Sequence, residues 1–341
     1  TENLESNLLL ANHSLCQLNI LNIGRIKGHL SSISSLLNKT KTPMGKRLFR
    51  QQILHPRTDI EYLNKEYEIT DYIINNWDTF ESVRRNFSKF KDLEKLYRKI
   101  VLNRVSPCEL VLFYENMGLI MDLNANLSKD ETLQSYISGK ISDIEQLDSN
   151  CIELRKMLKD NIQLDKAENL TSTMNFDGNF FQQGVNEEID STQISIDKNF
   201  QNLYAVQAFF NKCIRSIEKK SKTTDFVKIH TTEKSPLFLI TTQKRTTFLD
   251  KALKKVDWEK YPDLKKVING MAYKKGPSSN KQIQSPRLFE IYNTIFGNTE
   301  KMRELLRDEF KSFVRKLQET DKQMHQFVKY ISLLDVIFNK A

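Results

Sequence analysis

The chain has 341 residues, 39 % hydrophobic and 28 % charged, with only ten glycines and seven prolines and a formal net charge of +9. So few turn-formers exclude sandwiches and barrels and leave long helices joined by few loops. The cation surplus directs attention to anionic partners, and no apolar run of about 18 residues exists to span a membrane.

In chain order, residues 30–55 read as a helical stretch with a marked start, in which Thr42 is the N-cap and Pro43 the first helical position. Leu48, Phe49, Gln52 and Ile53 follow at helical spacing, and His55-Pro56 ends the run. Residues 58–76 form a second helix capped by Thr58 or Asp59, with Ile60, Leu63, Tyr67, Ile69 and Tyr72 on its pattern. Further amphipathic stretches cover 78–101, 106–126, 128–147 and 148–165, with Ser106-Pro107 as another cap and first-turn proline. Residues 167–184 carry few charges and two glycines, and predict a loop or short hairpin.

From Glu187 the pattern changes. Ile189, Ile196, Leu203, Phe210 and Ile217 recur every seven residues, with Val206 and Cys213 between them. That spacing predicts one long helix with a coiled-coil-like seam, roughly 50 Å long. A second long pattern runs from Pro286 to the C-terminus, with Gly297-Asn298 as a predicted break or kink. Between them, Phe226–His230 and Leu237–Thr242 read as strands, 246–256 as helix, and Met271–Gln284 as loop and strand. The predicted fold is mainly α: a helical core and two long antiparallel helices carrying a small β-containing insert at their tip.

Charge is concentrated in that insert. Residues 219–287 hold seventeen Lys and Arg against six Asp and Glu, a net +11, which leaves −2 for the rest of the chain. A localised basic unit of this kind is the electrostatic footprint of a polyanion partner. Fifteen of the seventeen are lysines, which act as point charges suited to backbone contact rather than to reading base edges.

Catalytic and metal chemistry finds little footing. A phosphate loop needs GxxxxGK[ST], and Gly45-Lys46 is followed by Arg47 and preceded five positions earlier by Thr40. The five histidines do not cluster, His13 and Cys16 lack companion ligands, and Glu187-Glu188 and Asp308-Glu309 lie on amphipathic helices. The chain is therefore expected not to be an enzyme. Cys16, Cys108, Cys151 and Cys213 lie far apart, as free thiols of a reducing intracellular compartment would, whether cytoplasm, nucleus or organelle. No signal peptide is visible.

Several motifs in order carry a resemblance. SSLLNKTKTPMGKRL (34–48) with LHPRTD (54–59), Leu18-Asn-Ile20, DLEKL (92–96), NRVSP (103–107), GVNEEID (184–190) and LLDV (333–336) together resemble the core of MutS-family DNA mismatch-repair proteins. Its Lys-, Asn- and Ile-rich composition suits an AT-rich viral or organellar branch. The resemblance implies that 1–19 end a connector, 20–221 and 286–341 are the core and lever domain, and 222–285 are a clamp that closes on duplex DNA. The clamp departs from the family pattern, so the DNA contacts are expected from the charge count, at Lys219, Lys220, Lys222, Lys244, Arg245, Lys251, Lys254, Lys255, Lys274, Lys275 and Lys281. The resemblance further implies a homodimer or heterodimer, a mismatch-reading domain before residue 1, and an ATPase domain using ATP and magnesium after residue 341. No cofactor is expected within the chain itself, and no membrane partner. Phe113-Tyr114-Glu115 fits the family's Phe-x-Glu wedge as a triplet but lies inside a predicted core helix. The competing reading is a helical protein-interaction scaffold without nucleic-acid binding.

Overall fold

The computed structural model describes residues 7–21, 28, 30–219, 223–232 and 236–341. In chain order the helices are α1 (Asn12–Gln17), α2 (Ile33–Leu37), α3 (Pro43–Leu54), α4 (Ile60–Asn75), α5 (Trp77–Asn86), α6 (Leu93–Val101), α7 (Pro107–Leu127), α8 (Glu131–Lys140), α9 (Leu147–Asn161), α10 (Leu164–Ala167) and α11 (Glu187–Ile217). Strands β1 (Lys228–His230) and β2 (Phe238–Thr242) follow, then α12 (Gln243–Leu253), α13 (Pro262–Ile268), β3 (Ala272–Lys275), β4 (Asn280–Gln284), α14 (Pro286–Gln318) and α15 (Asp321–Lys340). The architecture is mainly α with one small antiparallel sheet. The chain divides into two compact units, residues 1–173 with 311–341, and residues 174–310.

In the first unit α15 is the central element and packs against α3, α4, α6 and α9. Between Tyr330 and Phe338 every residue but Leu333 is buried, the pattern of a helix enclosed on all sides. Phe338 meets the rings of Phe80 and Phe87 at 5.7 and 5.8 Å. The start of α3 is built as its sequence predicts, with Thr42 Oγ1 accepting from the Gly45 N–H at 2.9 Å. It is also held by a partner from the far end of the chain. Asp335, 2 % exposed, accepts from the backbone N–H of Lys41 at 2.9 Å and of Thr42 at 2.7 Å, and from the Thr42 hydroxyl at 2.7 Å. A Cβ on Gly45 would stand 2.2 Å from Asp335 Oδ2, so this glycine is required for close approach. Glu66, also buried, accepts from Tyr136 Oη at 2.6 Å and from Lys340 Nζ at 2.7 Å, and pairs with Lys140 Nζ at 2.9 Å.

In the second unit α11 and the first part of α14 run antiparallel. Asn186 donates to Glu309 at 2.8 Å, Lys301 pairs with Glu188 at 2.6 Å, and Asn298 donates to Ser195 Oγ at 2.9 Å. The heptad seam is real over most of its length: Ile189, Leu203, Val206, Phe210 and Cys213 are buried, whereas Ile217 is exposed. The sheet order is β1-β2-β4-β3, every pair antiparallel. Tyr292 of α14 ties the sheet down, its hydroxyl accepting from Leu239 N–H and donating to the Ile283 carbonyl, both at 3.2 Å. Burial pushes its phenol well above the ordinary tyrosine range. Asn211 of α11 accepts from the N–H groups of Phe226 and Val227 at 3.0 and 2.8 Å, which fixes the approach to β1.

Several expected boundaries shift. The stretch 30–55 is two helices, because residues 38–42 supply an extended link and the α3 cap. The stretch 78–101 is divided by a 3₁₀ turn at Phe87–Lys89, whereas 168–184 is loop, one of the two forms expected. Gly297-Asn298 does not break α14; Thr299 donates to the Ile295 carbonyl at 2.8 Å and the helix continues to Gln318. The interruption falls at Glu319-Thr320 instead. There the buried Thr320 hydroxyl bonds back to the Leu317 carbonyl at 2.7 Å, and Gln318 Nε2 donates to the carbonyls of Ile100 and Val101 at 2.9 and 3.2 Å, closing the end of α6. The helix expected at 246–256 is α12, and α13 was not expected.

Candidate nucleic-acid interface

α12 starts directly after β2 and buries Thr246, Leu249, Ala252 and Leu253. That spacing turns Lys251, Lys254 and Lys255 outward, where all three are exposed. α12 packs against β2 and β4 on one face of the sheet. Tyr273 of β3 belongs to that face, since its hydroxyl donates to Asp250 of α12 at 2.7 Å. Burial first, then the Asp250 carboxylate, holds the Tyr273 phenol above its ordinary range. Strand alternation places Leu239, Thr241 and Ile283 with Tyr273. Lys228, His230, Phe238, Ile240, Gln282 and Lys274 therefore share the opposite face.

The acids of the described insert are unevenly placed. Apart from Asp225 just before β1, they are Asp250, Asp257, Glu259 and Asp263, all between 250 and 263, and the four strands contain none. Asp257 pairs with Lys260 at 3.2 Å and Asp263 with Lys266 at 3.5 Å. Arg245 pairs with Glu218 at 3.2 Å and its guanidinium lies 4.8 Å from the Phe226 ring centroid. Lys228, Lys244, Lys251, Lys254, Lys255, Lys274, Lys275 and Lys281 have no carboxylate partner among the described residues. The lysines of the sheet thus make no ion pair among the described residues, the arrangement suited to a run of phosphates.

The family model for MutS domain III matches residues 13–341. The chain belongs to the MutS family. It is similar to a DNA mismatch-repair mutS homologue of Acanthamoeba polyphaga mimivirus, 21 % identical over 98 % of this chain and 30 % of that protein. It is also similar to the DNA mismatch repair protein MutS of Caldanaerobacter subterraneus, 22 % identical over 97 % of this chain and 34 % of that protein. A shorter match joins it to MutS of Thermotoga sp., 33 % identical over 28 % of this chain and 12 % of that protein. The chain thus spans about a third of the length of the relatives it matches end to end.

Within this MutS-family chain the residues expected to touch DNA do not form one set. Lys244, Lys251, Lys254 and Lys255 lie on or just after α12, and Lys274, Lys275 and Lys281 on the β3–β4 hairpin. Lys219 is exposed just beyond α11, and Lys220 and Lys222 lie outside the described residues. Arg245 is committed to Glu218 and Phe226 within the fold. Lys228, counted in the charge surplus but not singled out, is exposed on the face away from α12; its period-two placement with His230 was the available signal. Gly45-Lys46 is no phosphate loop, because the Asp335 carboxylate already occupies the N–H groups at the start of α3. The residues present therefore do not fit a nucleotide site there. No group of three or more His, Cys, Asp or Glu side chains could hold a metal among the described residues. Phe113 is fully buried within α7, as expected of a core residue.

Proposed function

We propose that this chain is the lever-and-clamp portion of a DNA mismatch-repair protein, in which the insert 222–285 grips duplex DNA through its phosphates without reading sequence. The observation that carries this reading is the net +11 of the 219–287 segment, with four of its five described acids between 250 and 263 and none on the strands. Phosphate contact supplies affinity without sequence information, which is what a protein that must hold DNA of any sequence requires. The pairing of α11 with α14 suits rigid transmission between the insert and an ATPase domain, and the complete protein would work as a dimer using ATP and magnesium.

A salt titration of duplex binding by the full-length protein tests this. If about six cations contact phosphates, log K falls against log[salt] with a slope near −5. A flat dependence, or no binding to duplex DNA, would overturn the clamp reading and favour a protein-interaction scaffold.

A further inference from the structure

We infer that the tip of the β3–β4 hairpin holds a single DNA backbone phosphate between Lys275 and Lys281. This rests on the clamp reading and names a contact within it.

Lys275 and Lys281 are direct cross-strand partners. Like charges facing each other across a strand pair destabilise a sheet. Here neither lysine has an ion-pair partner among the described residues, and Thr241, the partner of Lys281 on β2, is uncharged. An unrelieved pair of ammonium groups at the end of a hairpin is completed by one anion lying between them.

The turn makes room for that anion. Residues 276–279 are Gly-Pro-Ser-Ser, and Ser278 and Ser279 are exposed with φ of +51° and +65°. Gly276 N–H donates to the Asn280 carbonyl at 2.9 Å, and a Cβ on Gly276 would meet that oxygen at 3.0 Å. The turn is therefore tightly closed and carries no long side chain between Gly276 and Ser279. Glycine and asparagine are the usual occupants of consecutive left-handed positions. Two serines there hold the strained backbone, and observed strain at an exposed turn is a pointer to function. An extended polyanion is the fitting ligand, because the remaining sheet lysines are unneutralised too.

The test is stoichiometric. In the full-length protein, Lys275→Gln, Lys281→Gln and the double variant are each titrated with duplex DNA over a range of salt. A shared phosphate predicts that either single variant leaves the slope nearly unchanged, because the remaining lysine still neutralises that phosphate, whereas the double variant lowers it by about 0.9, with affinity about eight-fold weaker at 0.1 M salt. A reduction of about 1.8 in the double variant would mean two separate phosphates and overturn the shared site. An unchanged slope in the double variant would mean that the tip does not touch DNA. A wild-type slope near zero would instead remove the clamp reading itself. Lys281→Glu separates binding from folding: it replaces a repulsive cross-strand pair with an attractive one, so thermal stability without DNA should rise while DNA affinity falls. Raised stability with unchanged affinity would also overturn the inference.

Discussion

Thr42 and Asp335 stand 293 positions apart and are joined by two hydrogen bonds of 2.7 Å, one from the Thr42 backbone N–H and one from its hydroxyl, both to Asp335 Oδ2. A helix N-terminus carries unpaired N–H groups and a partial positive charge. At α3 the threonine caps the helix and the aspartate caps the threonine. The segment that looked most like a phosphate site is thus an anion site supplied from within the chain.

Gly45→Ala places a methyl group where Asp335 Oδ2 lies. The carboxylate must swing away and abandon three donors, so a loss of about 2–4 kcal/mol is expected in urea denaturation. Asp335→Ala should cost about 3–5 kcal/mol for the same reason. An unchanged midpoint for Gly45→Ala would show that the approach is looser than described.

Acid should weaken the first unit through Glu66. Burial raises the pKa of this carboxyl, but bonds from Lys340, Tyr136 and Lys140 overcome it and lower the pKa from 4.5 to about 2. Because the folded value is depressed, the stabilisation is complete above about pH 4.5 and is lost as pH falls towards about 2. Its size at pH 7 is about 2 kcal/mol, below the full value of the shift because water screens the lysine ends. Glu66→Gln should lower stability at pH 7 and flatten its decline over that window; an identical acid profile would contradict the assignment.

Gly297 sits inside α14 with nothing within 4 Å of where a Cβ would be. Alanine there should raise stability by about 0.5–1 kcal/mol by favouring the helix. A destabilised Gly297→Ala, read by thermal denaturation, would point to a hinge that the continuous helix does not display.

Arg245 and the hairpin lysines should separate in experiment. Arg245→Gln removes the Glu218 pair and the contact with Phe226, costing about 1 kcal/mol of stability, and should leave the salt slope of DNA binding unchanged. A slope reduced by about 0.9 would return Arg245 to the interface.

Local signals carried much of this structure in advance. Thr42-Pro43 and Asp59 announced their helices because capping is chemistry between near neighbours. The heptad run from Ile189 announced α11 because one buried face repeats along it. The break in the returning helix was misplaced for the same reason: glycine is a visible local signal, whereas the interruption at Thr320 depends on the fit of Gln318 against α6. α13 gives only a weak local signal, because its seven residues, begun by Pro262, hold just three apolar side chains, Leu264, Val267 and Ile268. At the candidate interface a count of charges sufficed to find the insert. It could not separate Arg245 from the lysines, since that needs Glu218 and Phe226 brought together in space, nor show that Lys275 faces Lys281, which is a matter of register.

The first unit is drawn from residues 1–173 and 311–341, and this sets an order of events during synthesis. Residues 174–310 are continuous and can close their core while the remainder is still being made. α3, α4, α6 and α9 must wait for α15, and the Lys41 and Thr42 N–H groups for a carboxylate 293 residues downstream. At about 5–20 residues per second the ribosome takes roughly 15–60 s to deliver it. Through that interval the apolar faces that α15 will cover stand open on the nascent chain, which makes the first unit, rather than the insert, the part most dependent on chaperone cover.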